Sequence, residues 1–368
     1  MSHFDAIRPE PPTPHIVIDA QVVGRNLERM AAYAKSRRLG IRPHTKTHKS
    51  LHLARMQLEL GAVGLTVAKV GEAAVMAQAG DDLLMAYPAV DAARCAALAE
   101  LARTKTMRVG IDSAFAADRL AKAARSAGSV IGILVDLDVG HHRTGVQSAA
   151  DALALAQHVD RAKGLRLDGV MFFPGHISVP PDRQETPLKA LGEKLDEVVA
   201  LWRHAGLEAA IVSGGSTPTA YQSHRVANLT EIRPGTYVFN DMNCVHGGSA
   251  TIDDCAARII ATVVSIAVPG QVVLDSGSKT LTSDRCGPAP DSGHGHIMEF
   301  PAAKIVKLSE EHAQVDVTAC ERHPKLGQRV TVIPNHICPC VNLQDRVWWQ
   351  EPGDIPRAVE VEGRGKVF

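Results

Sequence analysis

Residues 129–146 read SVIGILVDLDVGHHRTGV. An apolar run, Ile131–Asp136, stops at a stretch of Asp, Gly, His and Arg, and an Ala- and Leu-rich amphipathic segment, Asp151–Ala162, follows. That order predicts one strand, one polar loop and one helix. The same unit recurs on both sides. Further strands are expected at Ile41–Thr47, Gly64–Lys69, Asp82–Tyr87, Met107–Asp112, Leu167–Phe173, Ala209–Gly214 and Glu231–Phe239. Helical segments include Gln21–Ser36, Ala114–Ala127 and Pro187–His204. Regular strand–helix alternation means parallel strands with helices outside. Eight such units before residue 245 predict a closed α/β barrel of the (β/α)8 type.

After Cys255 the texture changes. ARIIATVVSIAV, GQVVLDSG, AAKIVKL, AQVDVT and QRVTVIP are β-rich runs cut by Gly, Pro and Asp, and no helix is expected among them. The expected organisation is therefore a TIM-type barrel over residues 1–250 and a C-terminal all-β domain over residues 251–368. The chain has 368 residues, 45% hydrophobic and 22% charged, an ordinary composition for a soluble globular protein. Lys+Arg and Asp+Glu balance at 40 each, which argues against nucleic acid or an acidic membrane surface as partner. No apolar run approaches the ~20 residues that a membrane span needs. Seven scattered cysteines, with no signal-peptide pattern in MSHFDAIRPE, read as reduced thiols in a cytoplasm.

In a barrel of this kind the chemistry sits at the C-terminal ends of the strands. Lys46 and His48 end the first strand, Asp138 and Arg143 follow the fifth, and PGHIS, with His176, follows the sixth. SGGSTPT follows the seventh and GTYVFND closes the eighth. The Gly-rich turn offers backbone N–H groups and the hydroxyls of Ser216 and Thr217 to a phosphate. A tight turn with an N-cap explains it equally well.

In IRPHTKTHKS (Ile41–Ser50), Arg42, His44, Lys46 and His48 share one face of the expected strand, with no acidic residue beside them. Burial and neighbouring cations both favour a neutral lysine amine, which forms a Schiff base with a carbonyl. A phosphate-bearing aldehyde would answer both the lysine and the charge. A solvated basic strand end is the plain alternative. Near the far end, VIPNHICPCVNLQD places His336 and Cys338 on one strand face, a pair able to grip a divalent metal such as zinc with positions left open. A buried thiol beside a hydrogen-bonded histidine would look the same. CERH (Cys320–His323) reads as a loop.

RPHTKTHK, DVGHHRTGV, SGGSTPT, EIRPGTYVFND, LDSGSKT and PNHICPCVNL occur in this order between about Pro14 and Asp345. Together they resemble the D-threonine aldolase and D-serine dehydratase family of pyridoxal-phosphate enzymes, which have the alanine-racemase-like fold (fold type III). The resemblance implies an N-terminal barrel, a C-terminal β domain and a homodimer. It implies that Lys46 carries the cofactor and that Arg143 approaches its phenolic oxygen. The phosphate would lie against Ser213, Gly214, Gly215 and Ser216, with Tyr237 closing over it. His336 and Cys338 would hold a divalent metal (zinc, manganese or magnesium) near the β-hydroxyl of a D-β-hydroxy amino acid, and His176 would stand near that hydroxyl.

Two signals pull apart. Cys338 lies on the dehydratase side of the family pattern, where aldolases often have Asp, whereas EIRPGTYVFND and VVLDSGSKT lean to the aldolases. The expectation is a D-threonine aldolase that cleaves its substrate to glycine and an aldehyde, with His176 or a metal-bound hydroxide taking the hydroxyl proton. A D-serine or D-3-hydroxyaspartate dehydratase on the same site comes second, and an amino-acid racemase or a non-catalytic pyridoxal-phosphate carrier lower. A barrel hydrolase built on His44 and His48 would leave Lys46 and SGGSTPT without roles.

Overall fold

The structure, a computed structural model, describes residues 11–368. The opening segment MSHFDAIRPE, from which the lack of a signal peptide is read, lies outside them. The compact units do not follow a single cut in the chain. One comprises Glu28–Lys46, Leu51–Gly235 and Lys366–Phe368, and the other residues 11–27, Thr47–Ser50 and Thr236–Gly365. No helix among the described residues is long and apolar enough to cross a membrane.

The described chain begins with β1 (His15–Asp19) and α1 (Ala20–Arg37). The first unit then supplies eight parallel strands: β2 (Gly40–Ile41), β3 (Leu65–Val67), β4 (Asp82–Met85), β5 (Thr106–Ile111), β6 (Ile131–Leu137), β7 (Leu165–Phe172), β8 (Ile211–Gly214) and β9 (Glu231–Ile232). Their order is β2-β9-β8-β7-β6-β5-β4-β3. The two ends of that order also meet. Val63 N–H donates to Ile41 O and Thr66 N–H to Pro43 O, both at 2.8 Å, and His44 bridges Thr66 in parallel. The sheet is thereby closed into the expected (β/α)8 barrel.

Between the strands lie α2 (Leu51–Glu59), α3 (Val70–Met76), α4 (Ala92–Leu101), α5 (Ala114–Ala127), α6 (Ala149–Arg161) and α7 (Glu185–His204). Three of them start on a side-chain cap: Asp91 accepts from Arg94 N–H, Ser113 from Ala116 N–H and Ser148 from Asp151 N–H. Each satisfies a donor that the first helical turn leaves orphaned. The barrel core includes Leu84, Leu134 and Met171. Gly110 makes room there, since a Cβ would lie 2.2 Å from Met171 Sδ.

Buried and half-buried ions are linked in a chain beside this core. Arg42 and Arg108 both donate to Asp82 Oδ1. Arg108 Nε also meets Asp168 Oδ2 at 2.7 Å, and Arg42 Nε meets Glu231 Oε1 at 2.8 Å. Glu231 accepts from Ser213 Oγ (2.6 Å), which in turn accepts from Arg233 Nη1 (2.7 Å). Arg233 Nη2 finally reaches Phe172 O at 2.7 Å.

Two expected strands end at their first residues and give way to turns. Ile41–Thr47 is a strand only to Ile41, because Pro43 has no N–H for a ladder and Thr45–Thr47 forms a 3-10 turn. Thr45 Oγ1 anchors that turn on Thr66 O (3.0 Å) and Glu72 Oε1 (2.6 Å). Glu231–Phe239 likewise stops at Ile232; Pro234 follows, and Thr236–Val238 is again a 3-10 turn.

The second unit carries α8 (Met242–His246), β10 (Ala257–Ser265), β11 (Gln271–Leu274), α9 (Ser278–Leu281), β12 (His296–Ile297), β13 (Lys304–Leu308), β14 (Ala313–Asp316), β15 (Arg329–Ile333), α10 (Ile337–Asn342), β16 (Arg346–Gln350) and β17 (Arg357–Glu360). Nine strands form its sheet in the order β13-β14-β11-β10-β1-β16-β17, with β15 pairing β10 and β12. β1, from the start of the chain, is one of them and runs antiparallel to β10 (His15 opposite Ile260). The expectation of no helix after Cys255 is corrected by α9 and α10.

Candidate active site

At the C-terminal ends of β6 and β7, a loop is built around Asp138, which is 3% exposed. Its Oδ1 accepts the N–H groups of Gly140 and His142 at 3.0 Å each, and its Oδ2 lies 2.7 Å from His142 Nδ1. Burial works to raise its pKa, but these hydrogen bonds outweigh it and hold the carboxyl well below the usual range. Gly140, at φ +118°, lets the backbone pass beside His176; a Cβ there would stand 3.2 Å from the ring Nε2. Arg143 stacks its guanidinium 4.6 Å from the centre of the Phe173 ring, and His141 meets the same ring edge-on at 5.1 Å. His176 has its pKa pushed down, first by partial burial and then by His141, so its imidazole is a neutral proton acceptor near neutral pH. The structure thus gathers Arg143 and His176 at one end of the barrel.

Lys46 sits in the Thr45–Thr47 turn and is exposed, so the desolvation expected from the sequence is not found. Among the described residues its amine has no carboxylate partner. The shared basic face is also corrected. Arg42, 3% exposed, turns into the barrel onto Glu231 and Asp82, acids that stand far off in sequence. Lys46 N–H points at His44 Nδ1 at 3.4 Å, while His48 is buried and accepts from Ser50 N–H at 3.1 Å. The run is not a row of four equivalent cations.

The turn after β8 has structural reasons for both glycines. A Cβ on Gly214 would lie 2.0 Å from the Phe172 ring, and Gly215 adopts φ +86°. Ser216 N–H and Oγ both engage Thr219 Oγ1, at 3.1 and 3.0 Å, and Thr217 Oγ1 accepts Gly235 N–H at 3.3 Å. Ser213 is turned inward: its hydroxyl belongs to the Glu231–Arg233 chain. An amide- and hydroxyl-rich turn at a barrel-strand end fits a phosphate, through Gly214, Gly215 and Ser216. Tyr237 lies in the second unit, buried within the Thr236–Val238 turn.

His336 and Cys338 are not on a strand. His336 is the extended N-cap of α10 and Cys338 lies in its first turn, where Pro339 is tolerated because the N–H it lacks has no intrahelical partner. Asp241, 1% exposed, fixes the start of this helix by accepting Ile337 N–H at 3.1 Å, and caps α8 through Cys244 N–H with its other oxygen. Cys338 Sγ lies 3.2 Å from Thr47 Oγ1 and 3.7 Å from Thr236 Oγ1. His336 Nδ1 lies 2.7 Å from Asp284 Oδ2. Burial opposes both charged forms, yet the two partners sustain each other. The imidazole is pushed up to about 9, chiefly by the bond to Cys338, and the thiol is pulled down by His336. A cysteine sulfur beside a histidine ring is a donor pair that fits a borderline divalent cation. Among the described residues no group of three or more His, Cys, Asp or Glu stands together as a metal cage. Asp241 and Asp284 were not legible as parts of the site, since neither stands in a ligand-spaced motif with the pair.

The model of the alanine racemase N-terminal domain family matches residues 18–242, and that of the putative serine dehydratase domain residues 256–349. A D-threonine aldolase of Arthrobacter sp. is 31% identical over 360 residues, covering 96% of this chain and 93% of that protein. A D-threo-3-hydroxyaspartate dehydratase of Delftia sp. is 32% identical over 352 residues, covering 89% and 90%. The crystal structure of D-threonine aldolase from Filomicrobium marinum superposes with a TM-score of 0.88 at 31% identity, covering 97% of each chain.

Proposed function

The chain belongs to the family of pyridoxal-phosphate lyases of the alanine-racemase-like fold that holds D-threonine aldolases and D-serine dehydratases, and from that premise we propose that it is a metal-dependent D-threonine aldolase. Its reaction is the retro-aldol cleavage of D-β-hydroxy amino acids to glycine and an aldehyde. The observation that carries the metal dependence is the His336–Cys338 pair, a thiol and an imidazole held as neighbours at the head of α10. A racemase or a carrier has no use for such a pair.

When bound, pyridoxal phosphate supplies an electron sink for the amino acid and a divalent metal supplies a Lewis acid for its hydroxyl. Lys46, exposed and without a carboxylate partner among the described residues, holds the cofactor through its amine. Gly214, Gly215 and Ser216 receive the phosphate. Arg143, braced on Phe173, donates to the phenolic oxygen. His176, kept neutral, takes the proton of the β-hydroxyl. His336 and Cys338 hold the metal.

A dehydratase on the same site is the second reading, and Cys338 favours it. Identities of 31% to an aldolase and 32% to a dehydratase do not separate the two. The test is product analysis with D-threonine and D-serine side by side, with and without a chelator. The aldolase releases glycine and acetaldehyde from D-threonine, loses turnover on chelation and leaves L-threonine untouched. Ammonia with 2-oxobutanoate from D-threonine, or with pyruvate from D-serine, and no glycine, would make it a dehydratase.

A further inference from the structure

We propose that Asp284 is the positioning residue of the His336–Cys338 pair, fixing the imidazole so that Nε2 is the nitrogen left for the metal. This rests on the reading of His336 and Cys338 as metal ligands and goes beyond it, because Asp284 belongs to no motif that names the pair. Its Oδ2 stands 2.7 Å from His336 Nδ1. A carboxylate accepting from Nδ1–H selects the tautomer whose lone pair is on Nε2, and it also restrains ring rotation. Asp284 is not a third ligand in this arrangement, since it holds the nitrogen that a metal on Nε2 leaves alone.

An isolated surface carboxylate would do this poorly, and Asp284 is half exposed. What distinguishes it is the way its segment is held. The chain between α9 and β12 leaves α9 through Thr282 at φ +62°, a conformation uncommon outside glycine. It is then tied down at several points. Asn335, 2% exposed, donates its amide to Asp284 O (3.1 Å) and to Gly293 O (2.8 Å), near the two ends of the segment. Asn243 accepts Gly287 N–H at 2.8 Å and donates to Asn335 O at 2.7 Å. Asn335 is the residue immediately before His336. One buried asparagine therefore fixes both the backbone that bears the carboxylate and the backbone that bears the imidazole. The separation between Asp284 and His336 is set by main-chain anchors rather than by two free side chains, which is what a ring-orienting contact requires and a chance surface pair lacks.

The thiol has support of another kind. Thr47 and Thr236 offer it neutral hydroxyls, at 3.2 and 3.7 Å, whereas the hydrogen bond to Asp284 comes from the imidazole.

The test uses the full-length chain stripped of metal and titrated with cadmium, against a competing chelator. The sulfur-to-metal charge-transfer band reports the thiolate bond directly. In Asp284→Ala the cadmium affinity falls about 10- to 100-fold at unchanged stoichiometry, with the band retained, and Asp284→Asn recovers part of the loss. His336→Ala and Cys338→Ala serve as references and lose tight binding altogether. Should Asp284→Ala not fold, judged by circular dichroism of the metal-free protein, Asp284→Asn alone carries the comparison, with an affinity between wild type and His336→Ala. An Asp284 variant that binds cadmium within about twofold of wild type, while His336→Ala loses it, overturns this inference and leaves the metal reading standing. A wild-type chain whose cadmium binding ignores His336 and Cys338 overturns both.

Discussion

The barrel unit buries Arg42, Arg233, Glu231 and Asp168 and bonds its charges to one another, whereas the second unit buries the Cys338 thiol beside an imidazole and two hydroxyls. In the barrel each ion finds an opposite charge or a hydrogen bond inside the strands, so its donors and acceptors are already in use. Arg42 illustrates the outcome: burial works against its charge, but Glu231 and Asp82 outweigh that and raise its pKa. Among the described residues Arg233 has no carboxylate in direct contact, and burial instead pushes it down to about 10. The thiol pair is arranged differently. Its nearest partners beyond the imidazole are two threonine hydroxyls. Charges bonded in chains support a fold; a soft sulfur beside an imidazole supports a ligand.

The largest effect that separates the two kinds of site is expected at Lys46. Lys46→Ala removes an exposed barrel amine that has no carboxylate partner among the described residues, and turnover falls by about 10³-fold or more. Borohydride reduction of the wild type places the cofactor adduct on this residue in a peptide mass map. An adduct on Lys49 or Lys69 would mean that the lysine has been misassigned.

A second experiment probes the barrel chain. Glu231→Gln leaves Arg42 with half its compensation and Arg233 with a weaker relay through Ser213, and a broken buried ion pair typically costs about 3–5 kcal/mol. Urea unfolding measures it. A loss below about 1 kcal/mol would place the network among surface-like pairs and erase the contrast with the second unit.

The smallest effect concerns Asp138. Its folded-state pKa is depressed, so its contribution to stability is present above the ordinary carboxylate range and is lost as pH falls through that range and below. Asp138→Asn should therefore be less stable than wild type at neutral pH, with the gap closing in acid. Parallel stability curves across that window would remove the carboxylate from the account.

Much of the barrel was legible because its signals are local. Ala114–Ala127 was read to the residue, and the segments expected at Gln21–Ser36, Asp151–Ala162 and Pro187–His204 match α1, α6 and α7 to within two residues at each end. Periodicity and caps such as Ser113 and Ser148 lie within the helix they define. The candidate residues Lys46, Arg143, His176, His336 and Cys338 could likewise be picked out by type and spacing.

Their surroundings could not. The carboxylate that answers Arg42 lies 189 residues away, and the one that receives Ile337 N–H, turning an apparent strand into a helix start, lies 96 residues away. β1 opens the described chain, yet its ladder partner β10 lies beyond all eight barrel strands. Sequence by itself determined the strand–helix alternation, the family motifs and the candidate reactive groups, because each is written in neighbouring residues. Tertiary structure alone decided which cations are neutralised and which strand joins which sheet. It also decided which carboxylate lies against His336, because hydrogen bonds and ion pairs follow distance in space, and the chain brings those groups together only when it folds.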